Sequence, residues 1–517
     1  MDTTSLLSFA IALLVVILLK TIAERLGSRL KNGPYPPGPK PIPIIGNILD
    51  LQIKEPGPEY AEWSKKYQSG ICFATAFGNN ILIVNTQADA DELFEKRAKI
   101  YSDRPQIPMT NLIGYEGMVP LMSYGNYWRL CRRICQQHFN YESAKNYRPI
   151  IYEKVHNFLS ALSESPDNFA SHNKMLSVSF AVAIMYGYEV KSVDDPLIDA
   201  ADRSIFLAGG LLTPDASIIN LFPFLAHIPP WLSGPMTSRK IAAEAKGLMK
   251  YMQESMMNFA KASIKSGTAD ASLVTDFLEK QSISEARKGE EQAVQDVAFT
   301  TYSGATETTI AVIATFYYLM AKYPEVQSKA QTEIDQVIGS TRLPEFDDRS
   351  ALPYLEAIYR EVMRWSQSLP LGVPHALTED DYYKGYFIPK GTTVIGNIWA
   401  MNHDEDIYPE PFAFKPERFF DESGKLNQNN RILSYGFGRR ICVGKAVASS
   451  IVWLTMASTL ACFNIGKAKD EFGNEIEPNG EYHTEGLVTH KVDYKCSILP
   501  RSQIYKDLLQ AEKTARV

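Results

Sequence analysis

The chain has 517 residues, 45% of them hydrophobic and 22% charged, with a formal net charge of −6. That is globular composition, and the mild acidity without a strongly basic domain excludes a nucleic-acid binder. Six cysteines, at 72, 131, 135, 442, 462 and 496, are too few and too scattered for a disulfide framework, and no N-x-S/T sequon occurs, so the body reads as facing a reducing, cytosolic compartment.

At the N-terminus, Thr3 to Leu19 carry no charge and include "LLSFAIALLVVILL". Seventeen residues at helical rise cover about 25 Å, the low end of what a bilayer requires. A cleaved signal peptide is the alternative, but it needs a basic start where Asp2 stands and a small-x-small cleavage site, which does not follow. Lys20, Arg25, Arg29 and Lys31 come next, and the positive-inside rule then places the remainder in the cytosol. The expected organisation is one transmembrane helix with its basic flank (1–31), a proline-rich hinge (32–43) and a single body (44–517). The hinge contains "PYPPGPKPIP", six prolines that hold the backbone stiff and extended.

Length alone predicts about three domains, yet no Gly/Ser linker, low-complexity tract or internal repeat divides the body. "GICFATAFGNNILIVNT" (70–86) alternates around Gly78-Asn79-Asn80 as a β-hairpin does. Helical periodicity dominates afterwards. "PEVQSKAQTEIDQVIG" runs from Pro324 to a stop at Gly339, and "LPYLEAIYREVMRW" (352–365) is a second helix. "GTTVIGNIWAMN" (391–402) reads as a buried strand running into a turn. The apolar, proline-broken "LFPFLAHIPPWL" (221–232) is either a core loop or an exposed membrane-dipping or substrate-entry element. The fold class expected is mainly α with a smaller β part near 70–90 and 380–400.

The chemistry concentrates in "SYGFGRRICVGKAV" (434–447). It is neither a dinucleotide fingerprint, whose third glycine falls on Ile441, nor a P-loop, because the glycine spacing is wrong and Ala446 stands where Ser/Thr belongs. Most free cysteines are small buried hydrophobes. Cys442 differs. Glycines at 436, 438 and 444 permit close approach to a flat or bulky group, and Arg439 and Arg440 favour a thiolate. A helix, "KAVASSIVWLTMASTLACF", starts just after it, so N-terminal N–H groups point back at the sulfur. A permanently anionic sulfur suits such a place, and thiolate ligation of haem iron is one use.

Tyr435-Gly436-Phe437-Gly438-Arg439-Arg440-Ile441-Cys442-Val443-Gly444 resembles the haem-binding signature of the cytochrome P-450 superfamily, F-x-x-G-x-R-x-C-x-G, with Tyr for the first Phe. Further elements resemble the family in the right order. Glu361 and Arg364 match its E-x-x-R, and Arg418 in "FKPERF" completes a Glu–Arg–Arg cluster, read as structural. In isolation such a pair is a surface ion pair of little worth. Trp128 and Arg132 in "YWRLCRR" match its propionate-binding W-x-x-x-R, and His375 in "GVPHA" stands where the family commonly has a second propionate partner, with a satisfied surface histidine as the alternative. Cys131, Cys135 and His138 share that W-x-x-x-R helix face, but a zinc site lacks a fourth ligand. In "YSGATETTIAVIATFYYLM" (302–320), the family's A/G-G-x-D/E-T-T/S puts Glu307 at the acid and Thr308 at the alcohol used in oxygen activation, with Gly304-Ala305 in place of the usual Ala-Gly. Otherwise such hydroxyls bond back to helix carbonyls.

The resemblance spans the whole chain, and its "YSDRP" (101–105) and "GFGRRIC" are similar in wording to microsomal fungal members. It implies haem b held by Cys442, with Arg440, Trp128, Arg132 and His375 binding the cofactor, and Glu307 and Thr308 steering protons. It further implies a single-pass protein of the endoplasmic reticulum that uses O2 and electrons from an NADPH-cytochrome P-450 reductase, since the chain has no flavin or dinucleotide fingerprint of its own. Arg129, Arg133, Arg439 and Lys445 are the candidate reductase-docking residues. A haem-thiolate isomerase or dehydratase and a non-catalytic haem sensor are the rival functions. The candidate substrate contacts, 106–122, 208–212, 368–374 and 484–488, are mostly apolar, which points to a terpenoid, steroid or polycyclic aromatic, in secondary metabolism or xenobiotic oxidation.

Overall fold

The structure is a computed structural model that describes residues 31–212, 218–221, 223–227, 237–283, 290–485 and 487–514. The expected transmembrane helix lies outside the described residues, as do 222 and 228–232 of the apolar segment. The principal helices are α1 (Pro56–Tyr67), α2 (Asn126–Phe139), α3 (Arg148–Glu164), α4 (Phe169–Tyr186), α5 (Pro196–Leu212), α6 (Thr237–Ser266), α7 (Leu273–Ile283), α8 (Glu291–Lys322), α9 (Pro324–Val337), α10 (Pro353–Trp365), α11 (Ile398–Asn402), α12 (Lys445–Cys462) and α13 (Gln503–Thr514). The strands are β1 (Ile71–Ala76), β2 (Asn79–Val84), β3 (His375–Ala376), β4 (Asp381–Tyr383), β5 (Tyr386–Ile388), β6 (Thr393–Gly396), β7 (Phe463–Lys469), β8 (Glu475–Ile476), β9 (Tyr482–Glu485), β10 (Val488–Lys491) and β11 (Cys496–Pro500).

The body folds as two compact units of interleaved chain. The first takes the residues up to Gln106, then Pro370–Ile407 and Gly436–Ile441. Its sheet has the order β1-β2-β6-β3, with β2 and β6 parallel and the other pairs antiparallel. The hairpin turn falls on Phe77 and Gly78, one residue earlier than its asparagines suggest. Both residues have positive φ, 46° and 82°, the geometry that matches strand twist in a two-residue turn. The strand expected at 391–402 ends at Gly396, because the Asn397 side chain accepts from the Ala400 N–H and caps α11. The proline segment is stitched to this unit: the Pro37 carbonyl accepts from Phe73 N–H and that of Pro34 from Phe387 N–H, both at 2.8 Å, while Tyr35 stacks on Phe73 at 5.0 Å.

The second unit is helical around α8, which packs on α2, α4 and α12. Helices α4 and α12 are buried on nearly every face, and both read as apolar almost throughout. Among the described residues α12 alone is long and apolar enough to cross a membrane, and burial in the protein makes it a core helix. Two small sheets close the C-terminal end, β11-β7-β8 and the β9–β10 hairpin, neither of which the sequence reading placed.

Within this unit the Glu–Arg–Arg cluster forms as expected. Glu361 is fully buried; Arg364 donates to it through Nε at 2.7 Å and Nη2 at 2.8 Å, Arg418 through Nε at 3.1 Å, and Lys415 through its backbone N–H at 2.9 Å. The guanidiniums spend further donors on the carbonyls of Pro411, Pro409, Glu410 and Ala413, fastening the 409–418 loop to α10. Such a carboxylate is well satisfied, and removing it strands two buried cations. Glu361→Ala is therefore expected to cost about 3–5 kcal/mol, measured as a lowered denaturant midpoint, and Arg364→Lys should not restore it, because an ammonium lacks the fork.

Candidate functional site

The loop that carries Cys442 is positioned by glycine and by aromatic packing. In the first unit Gly438 has φ +53° and a Cβ there would lie 2.1 Å from the Phe94 carbonyl oxygen, so only glycine fits. Phe437 stacks on Phe94 at 5.2 Å, and Gly438 donates its N–H to Glu95. In the second unit Cys442 donates its N–H to the Tyr435 carbonyl at 2.8 Å, and the buried Tyr435 hydroxyl meets that of Tyr359 on α10 at 3.0 Å. Gly444 caps α12, and the backbone N–H groups of Gly444 and Lys445 bond the sulfur, as a helix N-terminus does for an anion.

The Cys442 side chain is exposed to solvent-sized contact, yet burial pushes its thiol pKa up despite those N–H groups and the charges of Arg132 and Lys445. The two observations agree only if the space beside the sulfur is interior and not bulk water. A thiol so placed stays protonated until a metal replaces its proton. The other cysteines differ: 72, 131, 135 and 462 are buried, and Cys72, Cys131, Cys135 and Cys496 are pushed up to about 12 by burial. The zinc alternative fails, since no three His, Cys, Asp or Glu side chains converge among the described residues. His138 instead lines a polar cavity of about 1150 Å³ with Lys154, Asp276 and Lys280.

Each unit also gathers donors for a carboxylate. In the first, His375 is buried and gives its Nδ1–H to the Tyr101 carbonyl at 2.7 Å, and it packs against Phe94 at 4.6 Å. Burial and the charges of Arg104 and Arg440 hold its pKa well below the usual histidine range. Arg104 is buried, fixed by the carbonyls of Val373 and Pro374 at 2.6 and 2.8 Å, and lowered by burial and by Arg440. Arg440 is held by the Ser102 carbonyl at 2.8 Å. Two guanidiniums and an imidazole thus gather in this unit, with the charge of Asp103 favouring the cation of Arg104. In the second unit Trp128 is buried one turn from Arg132 on α2, and Arg132, with its pKa lowered by burial, has no carboxylate partner among the described residues. Haem b, with two propionates and an iron that takes a thiolate, fits these donor sets. Arg104 was missed by the sequence reading, although it sits in "YSDRP"; a buried arginine before a proline is not visible in composition.

On α8, which runs unbroken through Gly304-Ala305, Thr308 gives its hydroxyl proton to the Gly304 carbonyl at 2.6 Å. Thr306 bonds back to Tyr302 and is buried, as is Thr309, whereas Thr308 and Gly304 retain accessible surface. Glu307 pairs with His490 of β10 at 3.2 Å. Among the candidate substrate contacts of the second unit, the 115–117 turn and β10 pack on α8, and α5 reaches β9. Of the docking candidates there, Arg133 is paired with Glu290 at 3.3 Å, Arg129 lies over Tyr124, and Lys445 is exposed.

Comparison with known proteins agrees with this geometry. The family model Cytochrome P450 matches residues 36–497. Cytochrome P450 monooxygenase ple1 of Rhodocybe pseudopiperita is 38% identical over 485 residues, 93% of this chain and 92% of that protein. A cytochrome P450 monooxygenase of Armillaria gallica is 35% identical over 98% of this chain and 99% of its own, and Cytochrome P450 monooxygenase COX2 of Coprinopsis cinerea 37% over 93% and 92%. With a signature cysteine beside interior space and carboxylate-seeking donors in each unit, the chain belongs to the cytochrome P450 family and is a haem-dependent monooxygenase, its family binding haem b through a cysteine thiolate.

Proposed function

We propose that this protein is a membrane-anchored monooxygenase that inserts one oxygen atom of O2 into a lipophilic terpenoid, steroid or polycyclic aromatic, with electrons from an NADPH-cytochrome P-450 reductase. The observation that carries the reading is the accessible but desolvated Cys442 sulfur, bonded by two N–H groups at the start of α12. Cys442 would hold the haem iron through its sulfur, and Trp128, Arg132, His375, Arg104 and Arg440 would hold the carboxylates of the cofactor. Haem supplies the oxygen-activating redox chemistry, and a thiolate ligand favours O–O cleavage. The protein's part is positioning and proton control. The long, largely apolar α8 beside these groups suits a lipophile. Thr308, its own proton on Gly304, presents lone pairs to the accessible side, so it accepts a proton before it can pass one on. Its acid neighbour Glu307 points about 100° away around the helix, so transfer between them runs through water. Exposed Lys445 and the arginines on α2 supply positive charge for the reductase.

Product analysis in cells that co-express a reductase and are fed a panel of lipophiles identifies the substrate. Three outcomes then check the reading. Cys442→His should abolish the red-shifted band of the reduced carbon-monoxide complex, while Cys131→Ala and Cys135→Ala keep it. Deleting residues 1–30 should release the protein at least partly from membranes and leave haem binding intact. Thr308→Ala should keep the haem spectrum and NADPH consumption but raise peroxide at the expense of product, because each ~1.4 kcal/mol lost from the productive barrier costs about tenfold in that branch. Buried Thr309 serves as the control: if Thr309→Ala uncouples and Thr308→Ala does not, the active alcohol is Thr309.

A further inference from the structure

The hairpin that faces α8 carries two histidines whose arrangement the function above does not use. His490 on β10 reaches Glu307 with Nε2 at 3.2 Å from Oε2; its side chain is 13% exposed and that of Glu307 29%. Directly across the hairpin register stands His483, exposed, with its ring stacked on that of His490 at 5.7 Å and 28°. A solvent-facing imidazole, a half-buried imidazole and a carboxylate thus form a series that ends one residue from Thr308.

The hairpin is held in place independently of the histidines. Thr489 donates its N–H to the Ser368 carbonyl at 2.8 Å, and the Thr484 and Thr489 hydroxyls meet at 3.0 Å. Lys491 lies between the rings of Tyr318 and Tyr482, at 4.1 and 4.2 Å, and donates to the Glu481 carbonyl. The alignment of His490 with Glu307 is therefore built into a braced element.

We propose that His490 is the proton-exchanging positioning residue behind Glu307 and that His483 is its contact with solvent, so that the β9–β10 hairpin is the proton entrance to the α8 acid. This deepens the monooxygenase reading and rests on Glu307 and Thr308 acting as it describes. Each step moves a proton alone: the imidazolium gives its Nε2 proton to a Glu307 oxygen once Glu307 has passed one towards Thr308, and the imidazole takes a replacement from water at the hairpin surface.

The other charged and titratable groups around Glu307 do not compete. Tyr302, on the same helix, gives its hydroxyl to Asp202 of α5 at 2.7 Å, and burial holds its pKa far above the neutral range. Asp202 is itself paired with Lys174 of α4 at 2.6 Å. Lys491 is brought down to about 7 by burial and the charge of Lys322, but its ammonium is enclosed by the two tyrosine rings. Imidazoles exchange protons in the pH range where the enzyme works.

The test uses the full-length holoprotein with its reductase. His490→Gln keeps a donor for Glu307 but cannot exchange protons; it should raise the peroxide-to-product ratio by about threefold, about half a decade on the scale where ~1.4 kcal/mol is tenfold, and flatten the pH profile of that ratio between about 6 and 7. Spectral substrate affinity should not move. His483→Ala should shift the profile without flattening it. A second readout needs no turnover: in the ferrous carbon-monoxide form labelled at histidine Cε1, the His490 resonance, assigned by its loss in His490→Gln, should change its titration midpoint in Glu307→Gln and not in Thr308→Ala. If Thr308→Ala uncouples but His490→Gln keeps the wild-type ratio and profile, the inference is overturned and the monooxygenase reading stands. If the His490 midpoint ignores Glu307→Gln, the pair does not exist in solution and the inference is likewise overturned. If neither Thr308→Ala nor Glu307→Gln changes the ratio, the role assigned to α8 fails first.

Discussion

The structure turns on one requirement: a sulfur that a metal can reach and bulk water cannot. Desolvation alone keeps Cys442 protonated, and no nearby cation in the protein reverses that. What the fold supplies is not a ready thiolate but a place where an anionic ligand, once formed, is met by two N–H groups, Arg132 and Lys445. A thiolate in water would be solvated and reactive; one held this way has the incoming metal as its strongest partner. The glycines before it follow from the same requirement, because Gly438 must pass within van der Waals reach of the Phe94 backbone for the loop to reach this position.

Holding a loop so closely needs stiff backing. The Tyr359–Tyr435 hydroxyl contact ties the residue that receives the Cys442 N–H to α10, and α10 is fixed in turn by Glu361 and its two guanidiniums. A fully buried carboxylate with four donors on it is costly to assemble and gives little net stability. Its value is geometric: it joins α10 to a loop that has almost no regular structure of its own. The substitution of Tyr for the signature's first Phe matters here, because a phenylalanine at 435 could not make the hydroxyl contact.

The sequence was most informative where chemistry demands rare residues at fixed spacing. Cys442 among its glycines, Glu361 with Arg364, and Trp128 with Arg132 could all be recognised because their spacing is set by a helix turn or a tight loop, which is local. Helices α9 and α10 were legible for the same reason, whereas α3, α4, α5 and α6 were not singled out. What escaped was what depends on partners far away in the chain. Arg104 is positioned by carbonyls at 373 and 374 and influenced by Arg440, none of them near it in sequence. The strands after residue 463 are short and half polar, and their register comes from packing on α8 and not from alternation. The turn of the first hairpin was displaced by one residue because asparagines attract the eye, whereas the backbone needs positive φ at Phe77 as well as at Gly78.

The same locality explains why α8 is ambiguous by sequence and informative in three dimensions. Three threonines and a glutamate in four positions look interchangeable along the chain, but a helix separates neighbours by about 100°. Thr306 and Thr309, three apart, share the buried side, and Thr308 falls on the accessible one with Gly304 four residues back. Burial therefore sorts the alcohols: only a hydroxyl that borders open space can exchange a proton with anything other than its own helix. Glu307 is sorted by a different means, its contact with a histidine 183 positions along the chain. The hairpin bearing this histidine is braced at Ser368 and by Lys491 between two tyrosine rings, so the partner of Glu307 is held in place by packing from outside its own short strand.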